Sequence, residues 1–305
     1  MIDGCYKLGS KKINLKKEFS KYNKLNFDKV FKKTGIRFIY RSTNKENSHT
    51  LAYKVGKKNL KLINEKVESL IFLTQSPIST IPSSGSLLHK DLNLSENCYV
   101  LDVIQGCSSF PYAFNLAINL IQNNEFKNSL IICSETYTKN ILKNDKTCLP
   151  IFSDAASSLF VKKKTIPKIL SSIYITDGNG HKNLCLNKQG KLYMNGLEVF
   201  TFTSEKVPLA VNELLKKAKL KIDDISYFIF HQASKVVLKT IQQKLNIPDE
   251  KFFNNIEFIG NTVSSTIPIG VIEALKNKRI QKNKPFMLMG FGVGYSLSGG
   301  IYKFD

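Results

Sequence analysis

The sequence predicts an α/β protein made of two similar halves, and three observations predict it. Short apolar runs alternate along the chain with stretches of helical period, the pattern of a mostly parallel sheet covered by helices. The element order of the second half repeats that of the first at similar spacing. Gln75 and Cys107 are 32 positions apart and His231 and Asn261 are 30 apart, while Cys107 to Ser134 is 27 and Asn261 to Phe291 is 30. Cys107, His231 and Asn261 are all expected at strand C-termini, where open α/β sheets bind their ligands. With 305 residues and 42% apolar content, the chain can bury a large core. A polar stretch with several Gly and Asn at residues 177–192 suggests the division, one half over residues 1–180 and the other over residues 181–305.

In chain order, residues 1–50 read as a short strand and helix followed by a basic segment at 31–37, and residues 52–62 as a helix. An apolar strand at 69–75 runs into a Pro- and Ser-rich loop at 76–86. Val100, Leu101, Val103 and Ile104 read as a buried strand that Gly106 breaks. From Ser108 onward Phe110, Phe114, Ala117, Ile118 and Ile121 recur at helical spacing, with Pro111 in the first turn, where a missing N–H costs nothing. Cys107 is therefore expected between a strand end and a helix start, where unpaired N–H groups and the helix dipole favour a thiolate. Residues 129–134 read as another buried strand, and residues 151–161 as two short strands interrupted by small residues. The second half reads as a helix at 205–220, a strand at 226–231, a helix at 235–245, a strand end at 258–261, a helix at 267–275, a strand at 286–289 and a Gly-rich segment at 290–299.

Forty-five Lys and Arg against 24 Asp and Glu give a net charge of +21. The lysines are spread over helix surfaces without a single arm, and no nucleic-acid-reading motif accompanies them. A solvated basic surface is expected, compatible with an acidic carrier protein or a phosphorylated cofactor and not with nucleic acid. No apolar run reaches the roughly 18 residues of a membrane span, and the start of the chain has no hydrophobic signal region. A cytoplasmic protein is expected. Six cysteines form no C-x-x-C pair and four histidines no cluster, so neither a disulfide framework nor a metal site is expected.

Each residue of the Cys107, His231 and Asn261 set is ordinary alone: a small residue in a turn, a strand-end histidine, a Gly-Asn turn pair. Together, one at each of three equivalent strand ends, they offer a thiolate nucleophile and two neutral donors, which suits acyl transfer through a thioester. Cys, His, Asn is also the chain order of papain-like proteases. Gln105-Gly106-Cys107-Ser108-Ser109-Phe110 lacks their local signature, however, and the chain has no Trp. Gly292-Val293-Gly294 has no βαβ unit after it, unlike a dinucleotide loop. Asp154 reads as a cap or turn residue.

These residues resemble those of the 3-oxoacyl-(acyl-carrier-protein) synthase III family of thiolase-like condensing enzymes. The resemblance runs nearly end to end, through Thr34-Gly35-Ile36-Arg37, the Cys107 segment, Met194-Asn195-Gly196-Leu197-Glu198-Val199-Phe200, His231-Gln232-Ala233, Gly260-Asn261-Thr262 and Phe291-Gly292-Val293-Gly294. It implies the duplicated five-layered α-β-α-β-α thiolase-like fold and a homodimer. It implies that Cys107 takes an acyl group from an acyl-CoA or acyl-carrier thioester, and that malonyl held on acyl carrier protein then loses CO2 and attacks it. His231 and Asn261 would stabilise the enolate-like thioester oxygen, and backbone N–H groups of Cys107 and of the Gly292, Val293, Gly294 loop would form an oxyanion hole. No bound cofactor is implied, the phosphopantetheine thioesters entering as substrates.

Arg37, Ile81, Ser234, Lys235 and Val236 fall where the family resemblance implies substrate or carrier binding. The family's His-Gln-Ala-Asn-x-Arg is here His231-Gln232-Ala233-Ser234-Lys235-Val236, and Lys235 or Lys239 would supply the charge used for carrier docking. A Trp that stacks on the CoA adenine in well-known members aligns with Lys29, and the family's Gly-Asp-Gly-Ala-Gly is Ser153-Asp154-Ala155-Ala156-Ser157. Ile81 stands where a pocket-forming Phe often lies at the dimer contact. With the catalytic set intact and the binding surface altered, a member serving a specialised lipid or secondary pathway is expected. Two alternatives stay open: the same fold passing the acyl group to an oxygen or nitrogen acceptor without decarboxylation, and a non-catalytic basic binding protein. Retention of both His231 and Asn261 argues against the first.

Overall fold

A computed structural model of the chain describes residues 2–20 and 26–305. The first half contains strands β1 (Asp3–Leu8), β2 (Lys11–Asn14), β3 (Phe38–Arg41), β4 (Ser69–Leu73), β5 (Tyr99–Val103), β6 (Asn128–Glu135) and β7 (Ala155–Lys162). Its helices are α1 (Leu15–Phe19), α2 (Phe27–Thr34), α3 (Ser48–Leu60), α4 (Ser84–Asp91) and α5 (Ser109–Gln122). There follow β8 (Lys168–Thr176), β9 (Leu184–Leu186), β10 (Leu192–Met194), α6 (Gly196–Ala218), β11 (Tyr227–Phe230), α7 (Lys235–Lys244), α8 (Ile256–Ile259), α9 (Thr266–Lys276), β12 (Pro285–Gly292) and β13 (Ser296–Lys303).

Two sheets carry the fold. One runs in the order β1-β7-β6-β4-β5 and the other β11-β12-β13-β8. The second sheet repeats the first strand for strand, except that the counterpart of β5 is reduced to an isolated bridge between Phe228 and Phe252. The alternation of strands and helices led to an expectation of mostly parallel sheets, which the topology corrects. Among the described residues, the parallel pairs of named strands are β4 with β5, β4 with β6, and β11 with β12. Those strands are joined by helical crossovers, whereas β7 and β13 follow their neighbours without one and run antiparallel.

Three apolar clusters define five layers. Leu51, Val55 and Leu88 of α3 and α4 pack under Leu70, Phe72, Leu130 and Ile132 of the first sheet. Phe114 and Ile118 of α5 and Val271 of α9 fill the space between the two sheets, against Ile71, Ile131, Ile229 and Leu288. Val207, Val211 and Leu214 of α6 and Leu238 and Ile241 of α7 cover the outer face of the second sheet. This is the α-β-α-β-α arrangement. Its central helices are apolar nearly all round because both sides are buried.

Several local expectations need correction. β5 lies at a sheet edge and is only half-buried, and Ile104 just beyond it is 58% exposed. Residues 151–161 do not form two strands. The small residues Ala155, Ala156, Ser157 and Ser158 lie inside the single buried strand β7, where α3 and α9 approach. The Gly-rich segment at 290–299 is a hairpin of β12 and β13, so the last strand was missed. Helix α6 starts at Gly196, nine residues before its expected start, with the Asn195 side chain as its N-cap. β8, which precedes residue 180, hydrogen-bonds in the second sheet; a division near residue 180 remains a proposal.

Candidate active site

Cys107 occupies a single 3-10 turn, Gly106–Ser108, that leads from β5 into α5. Gly106 has φ of 53°, and a Cβ there would lie 2.4 Å from Gln75 Oε1, so the turn needs glycine on both conformational and steric grounds. β12 packs across the turn at its glycines. A Cβ at Gly290 would lie 2.7 Å from the Cys107 carbonyl oxygen, and one at Gly292 would lie 3.2 Å from Cys107 Sγ. Val293 packs in the cluster around Cys107, and Gly294, with φ of 115°, turns the hairpin away.

His231 follows β11 directly, and its backbone N–H donates to the Met289 carbonyl of β12. Its Nδ1 lies 2.7 Å from Thr266 Oγ1 at the start of α9. The Thr266 hydroxyl donates to the Val263 carbonyl at 2.9 Å. A hydroxyl committed in that way accepts from Nδ1–H, which leaves a lone pair on Nε2. Asn261 Nδ2 faces that atom at 3.4 Å, while Asn261 Oδ1 accepts from the Val263 N–H at 2.9 Å. Asn261 does not sit at a strand end, as its spacing suggested. It follows α8 and Gly260, whose φ is 73°, and makes an isolated parallel bridge with Phe152.

The three side chains, all buried, line one cavity of about 120 Å³ together with Phe152, Phe291 and Gly292. The ring of Phe291 stands edge-on to His231, centroids 5.5 Å apart. Leu184, Met194, Val199 and Phe200 make the cavity's apolar side, which β9, β10 and α6 supply. An open groove of about 880 Å³ near Asp223 and Lys284 includes none of the three.

Burial sets the resting charge state. It pushes the Cys107 thiol above its ordinary range, reinforced by the Glu135 carboxyl and only partly offset by the backbone N–H of Cys107. The thiolate expected from the helix position is therefore not the resting form: desolvation outweighs the helix dipole here. Burial also pushes His231 down to about 3, against a smaller opposing interaction with the Val263 backbone. The resting site is a neutral thiol beside a neutral imidazole.

The expected binding residues divide. Ser234 and Val236 line the cavity, Val236 being 42% exposed, and the Ser234 side chain caps α7. Lys235 lies beside it on α7 with Nζ 6.0 Å from the Phe31 ring centroid. Arg37 is engaged elsewhere: its Nε donates to Glu257 Oε1 at 2.7 Å, and its guanidinium lies 5.4 Å from the same ring. Ile81 is 93% exposed and is not brought to the cavity. Sequence reading missed Thr266, which orients His231, and Glu135, which ends the buried strand β6. A charged residue closing an apolar run at a parallel strand's C-terminus was the available signal for Glu135.

Comparison with known proteins was consistent over most of the chain. Residues 101–178 match the family model of 3-oxoacyl-(acyl-carrier-protein) synthase III, and residues 215–304 match that of its C-terminal part. A beta-ketoacyl-(acyl-carrier-protein) synthase III of Acholeplasma laidlawii is 31% identical over 290 residues, covering 93% of this chain and 92% of that protein. One from Clostridium perfringens is 29% identical, covering 89% of each. A solved structure of a 3-oxoacyl-(acyl-carrier-protein) synthase III superposes with a TM-score of 0.91 at 29% identity, covering 100% of this chain and 98% of the other.

Proposed function

The chain belongs to the 3-oxoacyl-(acyl-carrier-protein) synthase III family and is a condensing acyltransferase of that type, and from this premise we propose that Cys107 is the nucleophile and His231 and Asn261 stabilise the enolate. The observation that carries this reading is the meeting of Cys107, His231 and Asn261, from three separate segments, in one buried cavity.

In the first half-reaction Cys107 Sγ attacks the acyl thioester as its thiol proton passes to the departing carrier sulfur. The oxyanion is met by the backbone N–H of Cys107 and that of Val293. The carrier thiol departs, and the acyl group stays on Cys107. In the second half-reaction the malonyl thioester loses CO2, leaving enolate charge on its carbonyl oxygen. Asn261 Nδ2–H donates to that oxygen. His231 joins it in the tautomer protonated at Nε2: the Nδ1 proton is lost to solvent, Nε2 takes one up, and the Thr266 hydroxyl then donates to Nδ1. The carbanion attacks the acyl-Cys107 carbonyl, expelling the Cys107 thiolate and releasing the 3-oxoacyl thioester, and the thiolate takes up one proton from solvent. A neutral imidazole suits this role, because its low proton affinity keeps it a donor and not a trap for the proton.

The donor and acceptor are proposed to be phosphopantetheine thioesters, with an acyl carrier protein as partner. Helices α2 and α7 pack together and carry Lys29, Lys32, Lys33, Lys235 and Lys239, a basic surface beside Ser234 and Val236. A homodimer is proposed through the exposed edge of β5, with Ile78, Ile81 and Ile104. The Arg37–Glu257 pair and the changes at Ser234 and Val236 support a role in a specialised pathway. Among the described residues no helix is long and apolar enough to cross a membrane. The test of the catalytic roles is Cys107→Ala, expected to remove acyl-enzyme formation, beside His231→Ala, expected to keep acylation and slow decarboxylation by about 10²–10³-fold. Loss of acylation in the His231 variant would contradict the assignment.

A further inference from the structure

Glu135 is fully buried at the end of β6, and nothing in the roles above uses it. Its two oxygens accept four contacts from two different parts of the molecule. Oε1 and Oε2 both lie 3.1 Å from the Gln75 backbone N, Ser76 Oγ donates to Oε2 at 2.8 Å, and Ser264 Oγ donates to Oε1 at 2.9 Å. Ser76 Oγ in turn accepts from the Thr136 N–H at 3.2 Å.

Both parts lead to the reacting groups. Gln75 follows β4, and its side chain lies directly behind Gly106, the residue before Cys107. The same side chain accepts from the Tyr137 hydroxyl at 2.8 Å. Ser264 follows Val263, whose N–H and carbonyl hold Asn261 and Thr266. One carboxyl therefore joins the turn behind the nucleophile to the loop that carries the amide donor and the partner of His231.

We propose that Glu135 is a positioning residue for the condensation: it fixes the Cys107 turn against the Asn261 loop, and its ionisation sets how readily the Cys107 thiol loses its proton. The proposal rests on the reading of Cys107 as nucleophile. The groups that face the carboxyl electrostatically are Cys107 before α5, Cys133 on β6, Tyr137 after β6 and Asp154 before β7. All four are acids, so none supplies a compensating positive charge. Burial pushes Glu135 up to about 7, against the hydrogen bonds from Ser76, Ser264 and Gln75. Near neutrality the carboxyl therefore changes charge beside a thiol that must itself become an anion. Each of these two anions opposes the other.

The experiment is the pH dependence of Cys107 alkylation by iodoacetamide in wild type, Glu135→Gln and Cys107→Ala, followed by site-resolved mass spectrometry. In wild type the alkylation rate should rise over a broader pH range than one titration gives. In Glu135→Gln it should rise as a single steeper titration with its midpoint about one pH unit lower, from loss of a like charge. The same variant should lose more in malonyl decarboxylation than in acylation, since its amide cannot accept every donor the carboxyl holds. Should Glu135→Gln not fold, Ser264→Ala removes one donor while keeping the charge. It is expected to keep the wild-type breadth and to slow decarboxylation more than acylation. Identical alkylation profiles in wild type and Glu135→Gln, or an equal loss in both half-reactions in Ser264→Ala, would overturn the proposal and leave the nucleophile in place. Acyl-enzyme formation that survives in Cys107→Ala would instead overturn the reading of Cys107.

Discussion

The Thr266 hydroxyl decides which nitrogen of His231 carries the proton, and this is where the chemistry is most exposed to a small change. Thr266→Val keeps the shape of the side chain and removes the hydroxyl that meets Nδ1 at 2.7 Å. It is expected to lower decarboxylation by about 10-fold or more while changing acylation less, read from CO2 release and acyl-enzyme mass in parallel. An equal effect on both steps would contradict the assigned tautomer exchange. Cys107, His231 and Asn261 were legible because each stands beside a glycine or at the end of an apolar run, at matching intervals. Thr266 and Glu135 were not legible, since a hydroxyl at a helix start and a lone acid after a strand have many ordinary uses. Only their partners in space distinguish them.

At the scale of elements, the turn between β5 and α5 is held by glycines on two sides. Gly106→Ala introduces a Cβ at positive φ and 2.4 Å from Gln75 Oε1. A loss of about 1–2 kcal/mol in stability is expected from the backbone alone, measured by urea unfolding. Gly292→Ala is the contrasting case. Its φ is not left-handed, and the added methyl meets Cys107 Sγ at 3.2 Å, so acylation should fall with little change in unfolding midpoint. Elements with strong periodicity, such as α5, α7 and β4, were read within a few residues. β7 and β13 were obscured by their own small residues. In β7 these let α3 and α9 approach, and in β13 Gly299 and Gly300 face the Met289 and Tyr302 side chains. Small residues inside a buried strand look like loop in a sequence because the space they leave belongs to a neighbour.

At the scale of the whole molecule, buried groups make stability depend on pH. His231 is held at about 3, below its unfolded value of 6.5. The unfolded chain therefore binds this proton more readily. The stability involved is present above about pH 6.5 and is lost as the pH falls toward 3. Glu135 is the opposite case, its folded value of about 7 lying above the unfolded 4.5. Its contribution is greatest below pH 4.5 and is lost as the pH rises to 7. The melting temperature of Glu135→Gln minus that of wild type should therefore be higher at pH 7 than at pH 4.5, which differential scanning calorimetry would record. The duplicated architecture was legible from the repeated order of elements, since each crossover helix leaves its own amphipathic signature. The edge position of β5 was not, because Val100, Leu101, Val103 and Ile104 make the same short apolar run that a central strand would. Ile104→Lys is expected to shift the protein toward a smaller species in analytical ultracentrifugation at neutral pH. An unchanged sedimentation coefficient would contradict association through this edge.

The most direct measurement is the intact mass of the protein after incubation with a set of acyl-CoA and acyl-carrier thioesters, for wild type and Cys107→Ala side by side. A mass increase equal to the acyl group in wild type, absent in Cys107→Ala, is the result expected of a thioester-forming condensing enzyme. An equal increase in both proteins, or none in wild type with any donor, would contradict it.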